Sequence, residues 1–536
     1  MLRAGRSYVL RAHYKIGTRG SLLALTQCTQ VKNELERITG DIFELEIIKT
    51  QGDLITNAPL WQLDGKDFFT RELDHALIEG RVDLVVHSYK DLGSVRPDEI
   101  QIAAITKRSF AHDVMLIKKE TVLKLNEMKI FKIGTSSPRR MTNLKNHFKN
   151  YLPGNSIEEI ETVILRGNVN TRVQKLCDGE FDAVVLALPG LERLASSEKS
   201  KLELEKLIEG LTFMVLPQTE FPSAAAQGAL AIECLKERTD NGELLAKLSK
   251  MNDAITREEV SRERKAFANY GGGCHLAVGI HVEKRGDFFC HFHRGFHEDK
   301  TIHLQTLEDP TNVRSLPEFL TAPKVFIGLS DKKKEKYKID YPNLTFDKLV
   351  NKHVVPAKAF FGDHLYITSK YCFHALDSIN KNSDFKKFIF AAGTKTMRDL
   401  AQLGFWVHGT SDSLGEEELK RLRDSKFLNM FYGEQVALEI LSHDKSSSAL
   451  ADVTPVYTHL LNDLNEDYKQ DLLKCEIFYW TSFTQYTFFV NLIPELKNKF
   501  HACGIGKTYH QLKKENVKIL PFLSMKEFEN YLQSIK

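Results

Sequence analysis

Short apolar, β-branched runs alternate along most of this chain with segments whose apolar residues recur every three or four positions. In the first part the runs predict strands at Glu44–Thr50, Val82–His87, Ile102–Ile105, Lys132–Gly134, Glu161–Leu165 and Ala183–Ala187. Helical spacing between them predicts helices over Ser21–Thr39, Thr70–Glu79, Pro138–Phe148 and Asn170–Cys177. In the second part strands are expected at Lys324–Leu329, His364–Thr368, Lys387–Ala391, Ile477–Thr481 and Phe500–Gly504, with helices at Thr396–Leu403 and Thr508–Glu515. Alternation of this kind implies α/β domains with mostly parallel sheets and ligands at strand ends. Two runs, Leu365-Tyr-Ile-Thr-Ser369 and Phe478-Tyr-Trp-Thr-Ser482, end an apolar strand on Thr-Ser where a helix begins. That places hydroxyls beside free backbone N–H groups, a cradle for anions.

Arginine usage divides the chain. Residues 1–314 hold 21 arginines, whereas residues 315–536 hold only Arg398, Arg421 and Arg423. A polar stretch with two prolines, Glu308–Pro317, precedes the change, which places a linker at 315–322. A length of 536 residues suggests three to five domains. The net charge of +3 gives no reason to expect nucleic acid or a membrane surface as partner. No apolar stretch approaches the ~20 residues that span a bilayer. The eight cysteines include no Cys-x-x-Cys pair, and no His/Cys/carboxylate spacing suggests a metal. Their wide spacing reads as reduced thiols and a cytoplasmic location. Met1–His13 has three arginines and no acid but lacks an amphipathic stripe, so a floppy extension is expected there.

Chemistry concentrates at the strand-to-helix junctions of the first part. Gly17-Thr-Arg-Gly-Ser21, Gly134-Thr-Ser-Ser-Pro-Arg-Arg140 and Leu165-Arg-Gly-Asn-Val-Asn-Thr-Arg172 each join helix-capping hydroxyls to arginine forks. Together they suit a ligand with several carboxylates or phosphates. His87-Ser-Tyr-Lys-Asp91 follows a buried strand and sets a carboxylate beside basic groups, where it can exchange a proton with a reacting nitrogen. Gly271-Gly-Gly-Cys274 leaves room beside a single thiol, which can carry a covalent group once partly ionised.

These motifs, with Phe69-Thr-Arg-Glu72 and Ala226-Gln-Gly-Ala229, occur in an order that resembles porphobilinogen deaminase, or hydroxymethylbilane synthase, from about Lys15 to Gly279. The resemblance implies two periplasmic-binding-protein-like domains, at 14–107 plus 212–236 and at 108–211, and a small α+β domain at 237–314. It implies a dipyrromethane cofactor, covalently held by Cys274, with Lys90, Ser88, Ser137, Thr135, Arg139 and Arg140 around it. Arg19, Ser21, Arg166, Arg172 and Arg193 would hold the acid side chains of porphobilinogen and of the growing chain. Asp91 would be the catalytic carboxylate that assists loss of ammonia. Four condensations then give a linear tetrapyrrole, a step of porphyrin and heme biosynthesis. The sequence departs from the family pattern at Gly93, Asn170, Pro189 and Ala226, without loss of a charged or nucleophilic group.

The second part is similar to uroporphyrinogen-III synthase through Val325-Phe-Ile-Gly328, Ile367-Thr-Ser369, Gly393-x-x-Thr396, Gly433-Glu434, Val456-Tyr-Thr458, Thr481-Ser482 and Cys503-Gly-Ile-Gly506. The resemblance implies a two-domain α/β unit, with one domain at 323–358 plus 459–536 and the other at 359–458. It would close the linear tetrapyrrole with inversion of its last ring. Tyr457 would assist loss of the hydroxyl, and Ser369, Thr396, Ser482 and Thr508 would bind substrate. Lys507, Tyr509 and Phe483 depart from that family's pattern. A bifunctional monomeric enzyme, a transferase joined to a lyase, is therefore expected. The alternatives are a deaminase with a non-catalytic interaction tail and an anion-binding module of the periplasmic type.

Overall fold

The computed structural model describes residues 11–50, 70–93, 95–273, 275–316, 322–329, 343–345, 349–354, 363–377, 387–432, 437–461 and 464–534. Cys274, Phe69 and Gly433-Glu434 lie outside them, as does most of the expected linker.

The described strands form five sheets. The first runs in the order Ile42–Ile47, His13–Thr18, Leu84–Ser88, Leu230–Leu235, Ile100–Ile105. The second runs Glu159–Val163, Ile130–Gly134, Ala183–Ala187, Asp113–Lys118, Leu211–Val215. In each, four of the five strands run in one direction, as the alternation predicts, and one runs against them. Leu230–Leu235 is antiparallel to both of its neighbours, and so is Asp113–Lys118. Such strands are buried on both faces, and a continuous apolar run carries no mark of its direction. The strand Leu211–Val215 is buried at all five positions and pairs in the second sheet. The return to the first sheet, expected at residue 212, therefore comes after residue 215.

The chain thus crosses between these sheets twice, from Ile105 to Asp113 and from Val215 to Leu230. A third, antiparallel sheet of Ala277–Arg285, Phe288–His297 and Lys300–Glu308 packs on the helix Ala254–Asn269.

The second part has two sheets. One is parallel: Asn343–Thr345, Val325–Ile327, Ile477–Trp480, Phe500–Gly504, Ile519–Phe522. The other runs Leu349–His353, Val453–Leu461, Leu438–His443, His364–Ile367, Phe388–Ala391, Gly409–Thr410. Leu349–His353 was expected with the first of these but pairs with Val453–Leu461 in the other.

The halves share cores. Met115, Phe131 and Met214 of the second sheet, with Tyr151 of the helical turn Phe148–Tyr151, belong to one apolar cluster with Leu365, Leu400, Trp406 and Val407. The edge strand Leu211–Val215 meets the segment before Gly409–Thr410: Val215 N donates to His408 O at 2.8 Å and Trp406 Nε1 to Phe213 O at 2.9 Å. Otherwise bare backbone at that edge is thus satisfied by the other half. On the third sheet, Phe288, Cys290, Phe292 and Leu307 join a cluster with Trp480, Cys503 and Tyr509. Among the described residues no helix is long and apolar enough to cross a membrane.

Asp412 is buried at this junction, where its Oδ2 accepts from Gln218 N at 2.7 Å and its Oδ1 from Thr219 Oγ1 at 2.8 Å. Burial pushes its carboxyl up to about 7, and Glu418 and Glu220 add to this against the two hydrogen bonds. A carboxyl raised on folding favours the folded state below its unfolded pKa, and that contribution is lost as pH rises through the folded pKa. The contribution of Asp412 to wild-type stability should therefore fall by roughly 2–4 kcal/mol between about pH 4 and pH 7. Asp412→Asn keeps two hydrogen-bonding groups in place, and its chemical-denaturation profile should lack that fall.

Candidate functional site

Three helix N-termini converge on the strand ends of the first two sheets. Ser21 caps Leu22–Thr39, accepting from Ala24 N at 3.3 Å, and Ser137 caps Pro138–His147. Asn168, rather than a hydroxyl, caps Val169–Cys177. Thr135 is buried, and its Oγ1 accepts from Ser137 N at 3.3 Å. Ser88 exchanges hydrogen bonds with Gln27 of the first helix.

Arg139 and Arg140 are buried and face one carboxylate. Asp113 Oδ2 lies 2.8 Å from Arg139 Nη1, and Asp113 Oδ1 lies 2.6 Å from Arg140 Nη2. Burial alone would push the Asp113 carboxyl up, but the two guanidiniums outweigh it and hold the group far below the usual range. Gln227 Nε2 donates to Asp113 Oδ1 at 2.9 Å, and its Oε1 accepts from Lys90 Nζ at 3.3 Å. The network therefore carries the second domain's charge pair to the first domain's lysine. Burial lowers the Lys90 pKa, and Arg140 and Arg139 act in the same direction against Asp91 and Asp113.

Arg172 is held by its own loop, with Nε donating to Gly167 O at 2.8 Å. Burial brings its pKa down to about 10, helped by Arg140 and Arg166, with only Asp91 opposing. Arg193 is likewise brought down to about 10 by burial, and it donates to Gly228 O at 2.6 Å. Gly228, the residue after Gln227, joins it to the network. Arg19 is half-buried at the end of His13–Thr18.

Asp91 is exposed on a turn directly after Leu84–Ser88. Arg264, on the helix of the third domain, grips that turn: it donates to Tyr89 O at 3.2 Å, Leu92 O at 3.0 Å and Gly93 O at 2.8 Å. The same helix ends at Asn269, and Gly271, Gly272 and Gly273 follow with φ of 85°, 64° and 90°. Three consecutive left-handed residues demand glycine. Cys274 comes next, outside the described residues. Ala226 occupies the left-handed region too, at φ 63°, where the resembled family has glycine; its N–H donates to Glu263 Oε2 at 2.6 Å. The departure at Asn170 is accommodated on the helix surface, where Nδ2 donates to Glu203 at 3.1 Å.

Asp113, Gln227 and Arg264 were not among the expected site residues. The described cysteines are all free, and burial pushes the thiols of Cys28, Cys234, Cys372 and Cys475 up to about 11. Asp74, His87 and Glu233 cluster closely enough to suggest a metal, but Arg96 donates to both carboxylates, at 2.5 Å to Asp74 and 2.7 Å to Glu233. The cluster already holds a cation.

The second half has a cleft of about 550 Å³ between its two sheets. Ser369, Tyr457, Ser482 and Thr508 line it. Ser369 and Ser482 are the N-caps of the following helical turns. Thr396 sits on the helix Thr394–Gln402 and is not among the lining residues. The strand register sets His443 opposite Tyr457, so that His443, Tyr457 and His459 form a ring cluster with centroids 4.7–5.7 Å apart. Burial pushes the Tyr457 phenol up to about 12 and His443 down to about 4. Lys507 crosses the cleft to Glu416 at 2.8 Å.

Residues 14–243 match the family model for the porphobilinogen deaminase, dipyromethane cofactor binding domain. The chain is 37% identical over 276 residues to the porphobilinogen deaminase of Syntrophus aciditrophicus, covering 51% of this chain and 81% of that protein. It is 36% identical to that of Gloeobacter violaceus, covering 50% and 76%. Among solved structures, the uroporphyrinogen-III synthetase of Helicobacter pylori aligns at 18% identity and a TM-score of 0.27, over 40% of this chain and all of that one. Identity at this level over four-fifths of a relative, together with the arginine-lined junctions, establishes that this chain belongs to the porphobilinogen deaminase family.

Proposed function

We propose that the chain makes hydroxymethylbilane from four porphobilinogen units and then closes it, with inversion of the last ring, to uroporphyrinogen III. The observation that carries the first activity is the uncompensated positive charge around Arg172. Desolvated guanidiniums with one opposing acid gain strongly from a carboxylate-bearing ligand. A dipyrromethane, with its acid side chains, fits that donor set. When bound through Cys274 it supplies a pyrrole carbon able to attack an incoming unit. Lys90, Ser88, Thr135, Ser137, Arg139 and Arg140 would hold it. Arg19, Ser21, Arg166, Arg172 and Arg193 bind the acids of porphobilinogen and its oligomers. Asp91 stabilises the cation left when ammonia departs and takes up the proton released at each condensation. Arg264 positions Asp91 by fixing the turn that carries it.

In the second half, Tyr457 lines the cleft with a protonated phenol, which can hydrogen-bond to a departing hydroxyl and assist its loss. Ser369, Ser482 and Thr508 bind the folded substrate, with Lys507 closing the cleft. The deaminase product is this cleft's substrate, which accounts for the two units sharing one chain and one core.

Intact mass of the purified protein should exceed that of the polypeptide by two pyrrole units, and Cys274→Ser should have the bare mass and no deaminase turnover. An unmodified wild-type mass would refute the covalent primer. Supplied with hydroxymethylbilane, Cys274→Ser should still yield the type III isomer. Adding Tyr457→Phe should slow that closure by roughly tenfold to 100-fold, at or below the weak end of general-acid effects. If Cys274→Ser gives only the spontaneous type I product, the second half is not a synthase.

A further inference from the structure

The two crossings between the first and second sheets are the covalent links between the domains that flank the arginine-lined cleft. Any change in the angle between those domains must be absorbed there. The second half of the chain holds both. Arg421 Nη2 donates to Ser109 O of the outgoing crossing at 2.7 Å. Asp412 accepts from Gln218 N and Thr219 Oγ1 of the return crossing, at 2.7 and 2.8 Å. Arg421 also reaches the third domain, with Nη1 at 3.1 Å from Glu283, and Arg285 of the same strand pairs with Glu417.

These grips issue from one rigid mount. Glu192, on the second domain's helix Leu188–Ala195, caps the helix Lys426–Tyr432 by accepting from Ser425 Oγ, Lys426 N and Phe427 N at 2.6, 2.8 and 3.1 Å. Trp406 and His408 fasten the mount to the strand that leads into the return crossing. The contacts with the crossings differ in character from the mount. They are polar and border a cavity of about 590 Å³ lined by Ser109, Gln218, Glu283, Asp412, Glu418 and Arg421. Close packing there would lock the links, whereas hydrogen bonds around a cavity permit a limited set of angles.

We propose that the second half braces the hinge of the deaminase, and that Asp412 and Arg421 are positioning residues for its condensation steps. The idea rests on the deaminase reading and is independent of whether the second half is a synthase. A cleft that lengthens its product by one ring per cycle must re-form around a larger ligand each time. The brace limits the domain angles to those that bring the chain end back to Asp91.

The test uses the full-length holoenzyme with porphobilinogen as probe. Arg421→Ala alters a half-exposed side chain, and Asp412→Ala removes the other grip. Each should lower kcat for porphobilinogen consumption by roughly fivefold or more, the lower end of typical coupling between sites, with KM little changed. Native mass spectrometry during turnover should show complexes carrying one to three added units accumulating. Asp412→Asn should restore the wild-type pattern. Closure of supplied hydroxymethylbilane by Arg421→Ala should be unaffected. Lower thermal stability with an unchanged kcat per folded molecule and an unchanged distribution of complexes would overturn the proposal, by reducing both residues to structural roles. Loss of deaminase activity in the wild type as well would instead count against the family reading.

Discussion

Two buried carboxylates hold together the region where the chain passes between its first sheets. Asp113 binds Arg139, Arg140 and Gln227, and through Gln227 it reaches Lys90. Glu263 receives Arg108 at 2.8 Å, Ala226 N at 2.6 Å and Val282 N at 2.9 Å, and so joins both crossings to the third domain. A buried ion pair adds little net stability, but removing one partner costs about 3–5 kcal/mol. These groups therefore act mainly as geometric specifications. They fix where the cations of the cleft stand relative to the turn bearing Asp91 and the glycine run before Cys274.

The same arrangement explains a division among the arginines. Arg139 and Arg140 share the one carboxylate of Asp113, so about half of their charge is committed to architecture and the rest faces the cleft. Among the described residues Arg172 has no such carboxylate partner, and its charge remains available to a ligand. A site of this form can bind successive acid side chains without rebuilding its own charge balance. The second half follows the opposite design, with hydroxyls, capped helix starts and rings lining its cleft. Two of its three arginines serve the junction: Arg421 faces the deaminase domains and Arg398 lies over the Tyr151 ring.

Much of this was legible from local pattern. Ser21, Ser137, Ser369 and Ser482 were readable as helix starts because a cap depends on its next three residues. The glycine run before Cys274 was readable because consecutive left-handed residues leave few alternatives. Asp113 and Arg264 escaped notice, and Gln227 was read only as part of a turn motif, because the partners of each lie far away in sequence; Gln227 meets Asp113 across 114 positions. His443 and His459 looked scattered until strand register set them beside Tyr457. Thr396 fitted a motif but does not line the cleft. The strands Asp113–Lys118 and Leu230–Leu235 were not among those expected, and a buried run carries no mark of its direction.

The central claim is that one chain both assembles and closes the tetrapyrrole. The most direct measurement is the isomer composition of uroporphyrinogen formed when the purified intact protein acts on porphobilinogen with no other enzyme present. The type III isomer should predominate from the earliest time points. Type I as the dominant product, at normal rates of porphobilinogen consumption, would contradict it.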